Sequence, residues 1–462
     1  MEIAELLQRY NLPIPRYTSY PTVPQWNDWS TEREVTPQGG ASELLRWEAA
    51  VRQTFRIQNR PEGISVYIHL PYCENLCTYC GCNKKITTNH EVEQPYIDAV
   101  LREWAMYVQL FPEAPLLREL HLGGGTPTFF SSANLACLIE GILAPSALHP
   151  DFEFGFEGHP NNTTYEQLRT LHEHGFRRVS FGVQDLDPEV QLIINRIQPF
   201  ENLKQVTEWS RELGYSSVNF DLIYGLPRQN EARLQRTIQQ ALSLKPDRIA
   251  FYSYAHIPWK SKAQRLYSEL DLPDTATKMQ LYLNGRQQFL TAGYTDIGMD
   301  HFALQNDALA LAAAQNRLHR NFMGYTTTQS RLLIGLGVSS ISDAAIAYAQ
   351  NTRELSTYLR KTEANEWPLD KGCFLQRDDQ INRRHILDLS CQGRTVLEND
   401  YEFGPQAIHL LKQMQNDGLV TFDGQQLEAT AKGRLFTRNI CSLFDQHLLR
   451  TGNRENQYSK SI

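Results

Sequence analysis

From Ser65 onward, short runs rich in β-branched and aromatic residues alternate with longer amphipathic stretches, and nothing else in the chain restricts its fold so sharply. The β-rich runs are SVYIHL (65–70), LRELHL (117–122), FEFGFE (152–157), RRVSFG (177–182), SVNFDLIY (217–224) and DRIAFYSYA (247–255), with YTDIGM (294–299) as a candidate seventh. Helical stretches at 94–111, 165–174, 200–213 and 231–244 lie between them. Strand, helix, strand in series is the signature of a parallel α/β sheet, open or closed. In such a sheet the loops after the C-terminal strand ends form the active face. No internal repeat at a solenoid period competes with this reading.

Residues 1–57 read as an irregular arm with one helix near 44–57, and PRYTSYPT (15–22) reads as extended because proline disfavours helix at the residue before it. The barrel-like alternation occupies 58–345. From 346 to 462 the pattern is mostly helical. Within it, FGPQAIHLLKQMQNDGLVTFDGQQLEATAKGRLFTRNICSLF reads helix, strand, a turn at Asp423-Gly424, strand, helix, the outline of a winged-helix-like unit. Such units bind DNA or serve as structural caps. With 45 basic against 52 acidic residues the chain carries a net charge of −7, which favours the cap and argues against a nucleic-acid partner. The N-terminal stretch has no basic and apolar segments of a signal peptide, and no apolar run is long enough to span a bilayer. A cytoplasmic location with no membrane partner is the expectation.

CENLCTYCGC (73–82) packs four of the eight cysteines into one loop directly after the first β-rich run. In a reducing compartment, clustered cysteines bind metal or do redox work more often than they form disulfides. Thiolates select zinc and iron–sulfur clusters. A structural zinc site needs a further ligand pair downstream, and none is visible. Cys80 and Cys82 are separated only by Gly81, so both can hardly reach one cube that Cys73 and Cys77 also reach. The spacing therefore reads as Cys73, Cys77 and Cys80 on a [4Fe–4S] cluster with one iron left open, by the logic of an open catalytic metal site. Gly81 and Cys82 are then near the cluster without ligating it. Cys137, Cys373, Cys391 and Cys441 read as small buried apolar residues. GGGTPT (123–128) follows the second β-rich run, where glycines let backbone approach a ligand closely.

C-x3-C-x2-C after a first barrel strand resembles the radical S-adenosylmethionine (SAM) enzymes. The ordered series PRYTSYPT, YIHLPYCENLCTYCGCNK, LHLGGGTPT, FGVQD, NFDLIYGLP, YAHIP, GMDHFA, LHRNFMGYTT and AKGRLFTRNIC resembles, over essentially the whole chain, the oxygen-independent coproporphyrinogen III oxidases. That resemblance implies an α/β fold: a partial (β/α)6 TIM-like radical SAM barrel with an N-terminal arm and a winged-helix-like, mostly helical C-terminal domain. It implies oxidative decarboxylation of two propionates of coproporphyrinogen III to vinyl groups, giving protoporphyrinogen IX. The implied cofactors are one [4Fe–4S] cluster and two SAM molecules. By resemblance, Tyr67, Gly124, Glu157 and Ile341 serve the SAM on the cluster, and Gly125, Thr126, Gln184, Arg196, Asp221 and Ala255 serve the second. A donor such as flavodoxin or ferredoxin supplies electrons, and the chain works as a monomer.

The substrate's carboxylates need cationic partners, for which Arg16 and Arg320 are the candidates. No catalytic side chain is assigned beyond cluster and SAM. His69, His121, His256, His301 and His319 receive no role, because hydrogen abstraction by a radical needs no general base. Gly158-His159 and Met323 depart from the usual family pattern. Two alternatives are a haem-binding chaperone of the same superfamily and a regulatory protein with a sensory cluster. The PRYTSYP arm and Cys82 favour the oxidase over the first. The full set of barrel motifs argues against the second.

Overall fold

The computed structural model describes residues 3–30, 42–451 and 458–460; residues 31–41 of the expected arm lie outside them. Six parallel strands follow one another in chain order: β1 (Ile64–Leu70), β2 (Leu116–Gly124), β3 (Ala147–Gly158), β4 (Phe176–Gln184), β5 (Ser217–Tyr224) and β6 (Arg248–Ser253). Each crossover carries helix: α1 (Glu93–Val108), α2 (Ser132–Leu143), α3 (Tyr165–Glu173), α4 (Pro188–Ile193), α5 (Phe200–Leu213) and α6 (Glu231–Ser243). The expected (β/α)6 unit is present, within a larger sheet that does not close on itself among the described residues.

These strands alternate in an instructive way. Val66, Ile68, Leu120, Leu122, Phe154, Phe156, Phe181, Val218, Phe220, Ile249 and Phe251 are buried in the main core, as the face of a sheet covered by helices demands. The intervening residues form polar rows across the sheet. Ser65, Glu119 and Glu153 are register partners; so are Tyr67, His121, Gly155, Arg178 and Ser217; so are Glu157, Ser180, Asn219 and Arg248. Most of this polar face lines an interior cavity of about 100 Å³.

Buried charge on that face is paired, as burial requires. Glu119 accepts from Ser65, Thr326 and Thr328, each at 3.1 Å. Arg178 pairs with Glu153. Arg248 Nε donates to Asp307 Oδ1 at 2.8 Å.

The sheet departs from expectation at both flanks. Tyr294–Gly298 is not a seventh parallel strand: it pairs antiparallel with His301–Leu304, which pairs antiparallel with β6. Two residues join those strands, far too few for a parallel crossover. The seventh parallel strand is β7 (Leu332–Leu336), which lies on the other side of β1. Beyond it, Ile341–Ala344, Ala347–Asn351 and Leu369–Phe374 continue the sheet as an antiparallel meander, and Asn27–Asp28 of the arm pairs on its edge. The expected boundary at 345 thus falls inside the sheet.

The last segment contains helices Arg377–Gln392 and Pro405–Asn416 and a three-stranded sheet of Arg394–Val396, Val420–Phe422 and Gln426–Ala429. This matches the winged-helix-like outline. The arm is more ordered than its sequence suggested. It begins with helix Ile3–Tyr10, whose Leu6, Leu7 and Tyr10 are buried. Arg9 and Tyr10 bond Asp417, and Tyr17 bonds Asp445 at 3.1 Å, so the arm is tied to the C-terminal segment. Of the four scattered cysteines only Cys441 is buried; Cys373 and Cys391 are half-buried, and Cys137 is exposed on a helix surface. Among the described residues no helix is long and apolar enough to cross a membrane.

Candidate active site

The cysteine loop leaves β1 and is held from three sides. Thr78 N donates to Ile194 O at 3.0 Å and Asn195 Nδ2 to Leu76 O at 2.8 Å, which fastens the loop to the end of α4. Lys84 Nζ donates to Cys80 O at 3.0 Å. Gln264, which sequence reading passed over, is buried and bridges two segments. Its Nε2 donates to Tyr79 O at 2.9 Å and to Ala255 O at 3.2 Å, while its Oε1 accepts from Ile257 N at 2.6 Å. A lone Gln in an irregular segment carries no sequence signal of such a task.

The glycine run is explained by the same loop. A Cβ on Gly125 would stand 2.6 Å from the Pro71 carbonyl carbon and oxygen. Gly125 N and Thr126 N donate to Leu70 O and Tyr72 O at 2.8 and 3.0 Å. Gly124 has φ +111°, and a Cβ there would stand 2.7 Å from the His69 ring. GGGT is therefore shaped first by close approach of the chain that carries Cys73.

One cavity of about 270 Å³ gathers Cys73, Cys77, Cys80, Cys82, Gly124, Gly125, Thr126, Glu157, Gln184, Arg196 and Asp221. Gly81 is exposed beside it. Tyr67, Ala255 and Ile341 do not line it. Tyr67 stacks on His121, its register partner, and its hydroxyl meets His69 Nδ1 at 3.2 Å. Ala255 offers its carbonyl to Gln264. Ile341 packs with Trp26, Tyr348 and Leu375.

Thr126 Oγ1 donates to Cys73 Sγ at 3.3 Å, and Arg196 Nη1 to Cys77 Sγ at 3.6 Å. Arg196 also bonds Gly182 O, yet its buried Nε has no partner among the described residues. Gln184 ends β4 at φ +66°, a left-handed conformation costly for a residue with a side chain and typical of sites under functional constraint.

The two carboxylates differ in state. Burial opposes ionisation of Glu157, but the hydrogen bond and charge of His121 and the Gly124 amide, 3.1 Å away, outweigh it and hold its carboxyl below the ordinary range. Asp221 is pushed up to about 7 by burial and by the charge of Glu157, against the pull of Asn219 and Ser180. His159, one of the departures from pattern, is kept neutral: burial and the Arg196 charge push it down to about 2. The Cys82 thiol donates toward Cys80 and pushes it down to about 6, while Cys82 itself is pushed up. Thiolates are the form that ligates iron.

Among the described residues no three His, Cys, Asp or Glu side chains converge on a single metal ion. A cubane presents separate corners, so thiols that share a cavity without meeting at a point suit a cluster. An unsatisfied guanidinium nitrogen and an ionised carboxylate in the same cavity suit a neighbouring ligand that carries both signs of charge.

Arg320 is placed otherwise than as a free anion contact. It is buried and donates to the backbone carbonyls of Arg16 and Tyr17, both at 2.9 Å, so it fastens the arm. Arg16 is half-exposed, with its guanidinium 5.8 Å from the Tyr252 ring centroid. Tyr252 lines both the cysteine cavity and the interior cavity, and Met323 lines the latter.

Residues 67–241 match the radical SAM superfamily. The chain is 38% identical over 466 residues to the oxygen-independent coproporphyrinogen III oxidase of Escherichia coli, covering 99% of this chain and 98% of the relative. It is 37% identical over 455 residues to the enzyme of that name from Pseudomonas aeruginosa, covering 96% of each. The solved structure of the E. coli coproporphyrinogen III oxidase, described as a radical SAM enzyme, superposes with a TM-score of 0.85 at 36% identity, covering 94% of this chain and 98% of that one.

Proposed function

This chain belongs to the oxygen-independent coproporphyrinogen III oxidases of the radical SAM superfamily, and from that premise we propose how its residues divide the work. It is an oxidoreductase of porphyrin biosynthesis that converts propionates of coproporphyrinogen III to vinyl groups with a [4Fe–4S] cluster and SAM. When bound, the reduced cluster would supply one electron to SAM, and SAM would supply the radical that takes hydrogen from a propionate chain.

The observation that carries the assignment is the single cavity at the C-terminal strand ends that gathers the three motif thiols, the GGGT turn, Glu157, Gln184, Arg196 and Asp221. Cys73, Cys77 and Cys80 hold the cluster as thiolates and leave one iron for SAM. Cys82 stands by as a proton donor to Cys80 sulfur rather than as a ligand. Glu157, ionised at neutral pH, accepts the amino group or ribose hydroxyls of the SAM on the cluster, with Gly124 beside it and Tyr67 and Ile341 in the wall beyond. Gly125, Thr126, Gln184, Arg196, Asp221 and Ala255 serve a second SAM, whose carboxylate would satisfy the orphaned Arg196 nitrogen. Electrons come from a flavodoxin or ferredoxin, and one chain supplies every residue assigned.

The test is anaerobic reconstitution with iron and sulfide, then reaction with reductant, SAM and coproporphyrinogen III. Vinyl product is expected. Serine at 73, 77 or 80 should each abolish cluster absorbance, whereas Cys82→Ser should keep it. Haem binding without vinyl product, or loss of iron from Cys82→Ser, would overturn the reading. Two SAM bound per chain by equilibrium dialysis is the expected stoichiometry; one would remove the second site.

A further inference from the structure

Beside the cysteine cavity, across the ends of β5 and β6, lies a smaller cavity walled by Arg16, Tyr224, Ser253, Asp300 and the 434–439 segment. Lys278 does not line it but directly precedes Met279, which does. This lysine stands in the first turn of helix Thr275–Thr291. Its aliphatic stem crosses Gly225, where φ is +84° and a Cβ would come within 2.7 Å of Lys278 Cε. A glycine in the YGLP turn thus makes room for the stem. The ammonium donates to Tyr254 O at 2.8 Å. The described residues give it no other acceptor, although an ammonium has three protons to place.

The charge around Lys278 is one-sided. Burial above all, then the charges of Arg16, Arg438 and Lys460, oppose its protonation against the pull of Asp300 and push its ammonium down to about 7. Asp300 lies 3.7 Å from Arg16, so that carboxylate is shared. Arg16 donates through Nη2 to Ser253 O at 3.1 Å and keeps a half-exposed face. A local excess of cations in a chain of net charge −7 is the footprint of an anionic ligand. Tyr252 joins the two regions, since its ring lines the cysteine cavity and faces Arg16.

We propose that Lys278 and Arg16 form a carboxylate-anchoring subsite that holds a propionate of the macrocycle while another is presented to the cysteine cavity. The proposal rests on the activity given above and deepens it by naming where the tetra-acid is gripped. A propionate seated here pairs with two cations and lies outside the cysteine cavity, so it orients the ring rather than reacting. Lys278 is a specificity-determining residue of the known reaction, and nothing in its sequence surroundings marks it as such.

The test uses the reconstituted full-length holoenzyme under anaerobic conditions. Lys278→Gln keeps a donor for Tyr254 O and removes the charge; Lys278→Arg keeps the charge. The expected result is a KM for coproporphyrinogen III raised by about tenfold or more in Lys278→Gln, as loss of a charge-assisted hydrogen bond implies. SAM cleavage without substrate should be unchanged, and Lys278→Arg should recover most of the affinity. A Lys278→Gln KM within about twofold of wild type overturns the proposal, and so does equal damage to substrate-free SAM cleavage, which would mark a structural role. Wild type failing to make vinyl product would instead remove the activity on which the proposal rests.

Discussion

Replacing Gln264 by alanine should loosen one corner of the cysteine loop. The buried side chain makes three hydrogen bonds, to Tyr79 O, Ala255 O and Ile257 N, and alanine removes all three at once. At about 1 kcal/mol net for each bond, the loss is about 3 kcal/mol. It falls unevenly. Thr78, Asn195 and Lys84 still hold the rest of the loop, so the slack appears at Tyr79, the residue that precedes Cys80. If half of the loss appears as easier local opening, the loop opens about tenfold more often. The assay is anaerobic challenge of the reconstituted protein with an iron chelator, following the visible absorbance of the cluster. Iron should leave Gln264→Ala about tenfold faster than wild type, with a lower thermal midpoint. Gln264→Glu should be no better, because a carboxylate would face two carbonyl oxygens. Stripping within about twofold of wild type, with an unchanged midpoint, would refute the view that this bridge holds the loop.

Gly125→Ala should cost about 1–3 kcal/mol and depress iron incorporation, because its Cβ meets the Pro71 backbone rather than a yielding side chain; full incorporation would contradict this. Arg248→Met should destabilise the protein by about 3–5 kcal/mol by leaving Asp307 buried and uncompensated, and adding Asp307→Asn should recover part of that in a denaturant titration. For Asp221 the sign follows from its raised folded pKa of about 7. Between about pH 4, where the unfolded carboxyl titrates, and pH 7, the folded state binds more protons than the unfolded state, so wild-type stability falls as pH rises. Asp221→Asn lacks this loss, so in ligand-free protein its stability relative to wild type should rise by about 3 kcal/mol across that window; a flat difference would refute it.

Much of the site was legible because its chemistry depends on spacing. Cys73, Cys77 and Cys80 share a loop, and so their proximity is guaranteed by covalent connection. Four other anticipated lining residues, Glu157, Gln184, Arg196 and Asp221, lie on or after β3, β4 and β5 and reach the same cavity because parallel strands deliver their C-terminal ends to one face. Arg320 was legible as a cation and illegible as a fastener, since its partners are backbone carbonyls some three hundred residues away. Gln264 and Lys278 gave no signal for the same reason: each acts across a gap that only folding closes. The short strand Leu332–Leu336 was missed because a brief apolar run is ambiguous by periodicity, and its parallel partner β1 lies at the far end of the barrel sequence.

Strand order, helical crossovers and the cysteine spacing are local properties, written in stretches of ten to thirty residues, and the amino-acid sequence alone determined them. It also wrote the strict alternation in runs such as FEFGFE, in which every second residue is apolar or small enough to pack. What that alternation encloses was decided by tertiary structure. Curvature of the sheet and its coat of helices turn the polar rows inward, where Glu119, Arg178 and Arg248 find partners and Glu157 and Asp221 acquire different protonation states. A side chain's charge depends on what surrounds it in three dimensions. Those surroundings come from segments far apart in the chain, and no local pattern of residues encodes them.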